Sequence, residues 1–230
     1  MLIIIGTVLF FGGFPGSGKT LQSFLYMDGT GKKKIVIDIE NKAVKTYETN
    51  VKKGCITDKV EIFNPYEYNN DYTVDYVKTY KKLVNKLNVI KARNEYDIVV
   101  IDSYNRLRNG LCSEYFKQTT GKKGIVELDW THVNRLVMDL IMPLANYVRI
   151  TNKTLIVTCH IKDRYEKDVC VGKMPDVKDG FDHLGDINLI LCKVKNTYTV
   201  DCIRCAIGDW ESDVSGNTSI DILLSEKGLI

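Results

Sequence analysis

The chain has 230 residues and a mass of 26.2 kDa, with 44% hydrophobic and 27% charged residues. That excludes a disordered chain and fits a single domain, 1–230, better than two. A formal net charge of +3 and a pI of about 8.3 permit nucleic acid as a partner without requiring it.

The first stretch, MLIIIGTVLFFGGFPG, lacks a basic n-region and a small-residue cleavage site, and Gly6 and Thr7 interrupt it. It is too short to span a bilayer, so it reads as a buried strand over 7–13, in a soluble cytoplasmic protein without membrane contact. A glycine-rich run follows and opens a helix from Lys19 to about Met27. KIVIDIE (34–40) and VEIFN (60–64) are the next strands, and VDYVKTYKKLVNKLNVIKAR (74–93) is a helix with Val77, Tyr80, Leu83, Val84 and Leu87 on one face. YDIVVIDS (96–103) is a strand, and a basic, aromatic loop (104–124) follows it. A helix over 129–151 contains Pro143, a candidate kink, and leads to the strand TLIVTCH (154–160). Segment 161–185 is polar and too long for an ordinary connection, so it reads as either functional or mobile. DINLILCKV (186–194) and TYTVDCIRCAI (197–207) form a hairpin around Lys195–Asn196, and Ile220–Leu224 reads as a last strand. The strand runs are continuously apolar and alternate with helices. The fold class is therefore α/β, a mostly parallel sheet flanked by helices with a C-terminal antiparallel hairpin.

Seven cysteines are irregularly spaced, and only Cys202 and Cys205 form a CxxC pair. No second pair completes a zinc site, so they read as free thiols in a reducing compartment.

Gly13-Phe14-Pro15-Gly16-Ser17-Gly18-Lys19-Thr20 satisfies G-x4-G-K-[ST], between a strand and a helix that continues with Leu21. Glycines let the backbone turn its N–H groups around phosphates, and the helix N-terminus adds its positive dipole end. The pattern implies a bound nucleoside triphosphate, with Lys19 on the β- and γ-phosphates and Thr20 on Mg²⁺. Asp102 ends an apolar strand and is the candidate second ligand of that ion; its alternative role is a helix cap, in competition with Ser103. Glu40 ends another strand, beyond Asp38 on the same face, and is the candidate base for the attacking water, or else a cap for segment 41–49. His160, at the end of a third strand, suits contact with the γ-phosphate or its water; a satisfied structural histidine is the alternative.

These signals occur in the order of the RecA-like P-loop ATPase core. IVIDIENKA resembles the segment that carries the catalytic glutamate in RecA-type recombinases. IVVIDSYNRL resembles their Walker B strand, and TLIVTCHIKDR the strand whose polar sensor leads into the second DNA-binding loop. RecA has glutamine at that sensor; this chain has His160. The chain is also similar to small phage and archaeal-virus RecA-like NTP-binding proteins, including single-strand-annealing recombinases built from a lone core. They share the early P-loop, a tryptophan-led helix (here Trp130) and a late D-x-x-L-x-L strand, here DINLIL. The resemblance implies a viral protein in the host-cell cytoplasm, a homo-oligomeric ring or filament, ATP and Mg²⁺ as cofactors, and a trans-acting basic finger. Lys195 and Arg204 lie in the finger's region, with an ordinary hairpin lysine and surface arginine as the alternatives. The chain shows neither the N-terminal oligomerisation segment nor the C-terminal domain of full-size recombinases, which puts autonomous strand exchange in doubt.

Two segments suit single-stranded DNA, where cations track the backbone and rings stack on bases. One carries Arg106, Arg108, Lys122 and Lys123; the other carries Lys162 and Arg164, diluted by Asp163, Glu166 and Asp168, with a merely solvated charged loop as its alternative. The expected function is ATP hydrolysis coupled to single-stranded DNA in recombination, annealing or replication. The alternatives are a motor or switch ATPase with a protein partner, for packaging or helicase loading, and a small-molecule kinase. The kinase is disfavoured because no arginine-rich lid is visible.

Overall fold

The computed structural model describes residues 6–121, 129–166, 168–178, 181–194, 197–206, 214–215 and 220–226. The apolar runs become β1 (Thr7–Gly13), β2 (Lys34–Asp38), β3 (Val60–Phe63), β4 (Ile98–Asp102) and β5 (Thr154–Cys159). After them come β6 (Ile161–Glu166) and β7 (Val169–Pro175), then β8 (Ile187–Val194), β9 (Thr197–Cys205) and β10 (Val214–Ser215).

Among the described residues the main sheet has the order β10-β9-β8-β1-β5-β4-β2-β3, and β6 and β7 form a separate antiparallel hairpin. From β3 through β2, β4, β5 and β1 to β8 every neighbouring pair is parallel; β9 and β10 are antiparallel additions. The expected α/β class and its C-terminal antiparallel hairpin are both present.

Helices cover both faces because the central strands β1, β2, β4 and β5 are buried on both. Val8 and Phe10 point into one core, Leu9 and Phe11 into the other. The first core is closed by α3 (Tyr76–Arg93), α5 (Ser113–Thr120) and α6 (Trp130–Ile150), through residues such as Leu83, Leu87, Phe116, Val137 and Leu144. The second is closed by α1 (Lys19–Leu25), α2 (Ala43–Lys52) and α7 (Ile220–Glu226). Caps set several helix starts. Asp75 accepts from the Lys78 N–H at 2.9 Å, and Asp129 accepts from the N–H groups of Thr131 and His132 at 2.9 and 3.3 Å.

Two segments differ from expectation. Residues 104–120 are helical rather than a loop: α4 (Tyr104–Arg106), a π-helical stretch (Leu107–Cys112) and α5 run on from one another. Tyr104, Leu107, Leu111 and Phe116 are buried, and that spacing is helical. The polar segment after His160 contributes the antiparallel pair β6–β7. Ile220–Leu224 lies in a helix, not a strand: Ile220 and Leu224 are buried while Ile222 is exposed, a four-residue spacing that a strand would not produce. α6 continues through Pro143.

Phe10 is completely buried and meets Phe181 edge-on, ring centroids 5.9 Å apart. Phe10→Ala is expected to cost about 3–5 kcal/mol in urea unfolding, and Phe10→Leu less, because Leu fills more of the cavity. A loss below about 1 kcal/mol for the alanine variant would show that this site collapses freely.

Candidate active site

Because the strands are parallel, β1, β2, β4 and β5 end at one edge of the sheet, beside a cavity of about 730 Å³. One part is lined by Pro15, Gly16, Gly18, Lys19, Thr20 and Leu21; Glu40, Asp102 and His160 line it from three later strand ends. The remaining lining includes Asn105, Arg106, Asn109 and Asp176.

The loop after β1 needs its glycines. Gly16 and Gly18 have φ of 80° and 89°, in the left-handed region. At Gly13 a Cβ would lie 2.2 Å from Ser17 Oγ and 2.6 Å from the Leu191 carbonyl. Ser17 Oγ is buried and has no hydrogen-bond partner among the described residues. A buried hydroxyl left unpaired, set in such a loop at a helix start, fits an anion that accepts from it. Lys19 is buried, and its Nζ donates to the carbonyls of Gly13 and Phe14 at 2.8 and 2.9 Å. Burial lowers its pKa, and the nearby Cys159, Asp102 and Glu40 oppose that shift. Phe14 is exposed, with Lys173 Nζ of β7 5.5 Å from its ring centre.

Asp102 is almost wholly buried and its carboxylate is gripped from two elements. Thr20 Oγ1 donates to Oδ2 at 2.9 Å, and Thr158 Oγ1 of β5 donates to Oδ1. The Asp102–Ser103 peptide is cis. Burial pushes the Asp102 pKa up to about 6, the charges of Glu40 and Asp38 add to this, and the threonine hydrogen bonds oppose it. Thr20 and Asp102 thus present two adjacent oxygen donors, which suits a hard divalent cation that takes its remaining ligands from phosphate and water. Among the described residues no group of three or more His, Cys, Asp or Glu is placed to hold a metal by itself.

Glu40 and Asp38 separate clearly. Asp38 is buried, and its carboxylate accepts from the N–H groups of Lys42 and Ala43 at 3.1 and 2.9 Å, so it caps α2. Glu40 faces the cavity; its Oε1 accepts from Ser103 Oγ at 2.7 Å and its Oε2 lies 3.7 Å from Lys42 Nζ. Sequence reasoning missed Ser103 as the group that orients Glu40. His160 is half-buried, and its backbone N–H donates to Asn105 Oδ1 at 2.7 Å.

The basic candidates scatter. Arg106 lines the cavity and lies along Gly110, where a Cβ would be 3.1 Å from its Cδ. Arg108 donates to Asn134 Oδ1 at 2.7 Å and Asn109 Oδ1 at 3.1 Å, and its guanidinium sits 4.6 Å from the centre of the Trp130 ring. Lys162 and Arg164 lie on β6. Arg204, on β9, pairs with His183 and is not among the residues that line the cavity. Lys122, Lys123 and Lys195 lie outside the described residues. All seven cysteines are unbridged. Among the described residues no helix is long and apolar enough to cross a membrane.

A family model for the AAA domain matches residues 6–181, which is most of the chain and includes every strand end at the cavity. The chain belongs to the AAA-domain family. It is an ATPase with a RecA-like P-loop fold. Among solved structures, the RadB recombinase superposes with a TM-score of 0.55 at 15% identity, covering 92% of this chain and 86% of that one. A KaiC-like protein from the hyperthermophilic archaeon Pyrococcus horikoshii OT3 gives a TM-score of 0.47 at 17% identity, over 87% of this chain and 80% of that one. At 15% identity the likeness to the RadB recombinase is one of fold. No curated protein sequence matches the chain.

The buried Asp102 of this ATPase carries a stability cost. An unfolded aspartate ionises near 3.8 and the folded one near 6, so the folded state binds the proton more tightly and stability falls as pH rises through that window. In Mg²⁺- and nucleotide-free buffer at neutral pH, Asp102→Asn is expected to be more stable than wild type by about 1–3 kcal/mol, at about 1.4 kcal/mol per pKa unit. The difference should vanish at a pH below the unfolded value. Equal thermal melts at neutral pH would refute the buried-charge account.

Proposed function

We propose that this ATPase binds Mg²⁺–ATP on the glycine-rich loop and couples its hydrolysis to single-stranded DNA in recombination, annealing or replication. The proposal includes a single working domain, 1–230, assembled as a homo-oligomeric ring or filament, of the kind found in small viral RecA-like proteins. The observation that carries the hydrolysis is convergence. The loop, Glu40, Asp102 and His160 come from four separated segments and line one cavity.

In this reading the loop N–H groups and Lys19 hold the β- and γ-phosphates, and Lys19 exchanges its bonds to the Gly13 and Phe14 carbonyls for phosphate oxygens. Thr20 and Asp102 hold Mg²⁺, which neutralises phosphate charge when bound. Glu40 takes the proton of the attacking water, and Ser103 fixes the direction of its carboxylate. His160 contacts the γ-phosphate or the water and passes the nucleotide state into β6, which starts at the next residue.

The DNA side is supported by Lys162 and Arg164 on a hairpin that leaves the cavity, by the Arg108–Trp130 pair, and by the fold shared with a protein named as a recombinase. Lys173 is paired with Asp163 on the same hairpin, which reduces its positive charge. That observation favours a second reading, a switch or motor ATPase acting on a protein partner.

Lys19→Ala is expected to abolish ATP turnover, and Glu40→Gln to keep ATP affinity while lowering kcat by about 10²–10⁴-fold, the range for loss of a general base. Loss of ATP binding in Glu40→Gln would make Glu40 structural. Single-stranded DNA should raise wild-type turnover and bind with a steep salt dependence. If it does neither, the DNA reading fails and the protein-partner reading takes its place.

A further inference from the structure

Asn105 lies three residues beyond Asp102 and is 7% exposed. Its amide group makes three hydrogen bonds. Nδ2 donates to the Asp176 backbone carbonyl and to the Asp176 carboxylate, each at 2.9 Å. Oδ1 accepts from the His160 backbone N–H at 2.7 Å. The Asp176 N–H then donates to the His160 carbonyl at 2.7 Å, which closes the network.

The positions of these partners matter. His160 immediately precedes β6, and Asp176 immediately follows β7. One buried amide therefore fastens both roots of the hairpin to the segment that continues from Asp102. Asn105, His160 and Asp176 all line the same cavity. The chemistry is specific to Asn. Leu would fill the space but leave the His160 N–H and the Asp176 carboxylate without this partner; Asp lacks the donor; Ser offers a single donor hydrogen on a shorter arm.

We infer that Asn105 is a positioning residue for ATP hydrolysis. It sets where His160 stands relative to Asp102 and Glu40, and it makes the hairpin follow the strand end that carries Asp102. The inference rests on reading this cavity as the hydrolysis site. Asn105 acts through the His160 backbone, so its removal leaves the glycine-rich loop, Lys19 and Thr20 untouched. ATP capture should persist while the reacting geometry loosens.

The test is steady-state ATPase kinetics on the full chain, with Lys19→Ala as the zero-activity reference. Asn105→Ala and the isosteric Asn105→Asp are compared with the double variant Asn105→Asp/Asp176→Asn. Asn105→Asp sets two carboxylates against each other; the double variant restores a donor–acceptor pair with the roles reversed. Both single variants should lose about tenfold or more in kcat with KM for ATP within about threefold of wild type. The double variant should recover part of the loss seen in Asn105→Asp. Trypsin should also cut β6–β7 of Asn105→Ala faster than that of wild type, at Lys162, Arg164 or Lys173. If Asn105→Ala does not fold, the isosteric variant and its double carry the test. A folded Asn105→Asp with wild-type kcat overturns the inference. So does a rise in KM at unchanged kcat, or a double variant no better than Asn105→Asp. A wild-type chain with no turnover above Lys19→Ala removes the reading of the cavity, and this inference with it.

Discussion

Parallel pairing sets the direction of every strand that brings chemistry to the cavity. From β3 across to β8 each neighbour runs the same way, so Gly13, Asp38, Asp102 and Cys159 all stand at one edge. Register adds a finer constraint. Asp38 is paired with Asp102, and Ile101 with Val157. A slip of one residue in β4 would exchange its two faces, moving Asp102 away from Thr20 and Thr158. The slip is resisted by packing: Val99 and Ile101 are buried in one core, Ile98 and Val100 in the other. The hydrophobic pattern of a five-residue strand thereby fixes the place of a carboxylate.

Three carboxylates sit close together at that edge, and the protein treats each differently. Asp38 serves the fold, by capping α2. Glu40 is held by a hydroxyl on one oxygen and keeps its other near a lysine. Asp102 is the most deeply buried of those at the cavity, and two threonine hydroxyls give it part of what water would give. Such a cluster lowers stability where function needs charge, a conflict common at active sites.

How much of this was legible in the sequence depended on distance along the chain. The glycine-rich loop is a local pattern between two regular elements, and the strands carrying Glu40, Asp102 and His160 are local apolar runs. α2 was hidden because its core-facing side is narrow, with Ala43 buried and Tyr47 half-buried one turn on, and because its cap comes from Asp38. The helix behind Asp102 was legible in the spacing of Tyr104, Leu107, Leu111 and Phe116, but its arginines and Gly110 drew the reading toward a loop. Ser103 and Asn105 could not be found this way. Their partners lie 63, 55 and 71 residues away, and nothing in their own neighbourhood announces them.

The lysine folded onto its own loop has a consequence for what the site retains. Lys19 already has two carbonyl partners, so an incoming anion replaces existing bonds rather than satisfying an idle cation. The net gain is then a difference between two sets of contacts. A polyphosphate, bound along the whole loop, offsets the exchange from many oxygens at once. A lone orthophosphate reaches only a few of those donors and must displace the same carbonyls. On the proposed reading, an arrangement that captures the triphosphate therefore holds a lone released phosphate weakly, while the diphosphate product still reaches much of the loop, so the two products leave on unequal terms.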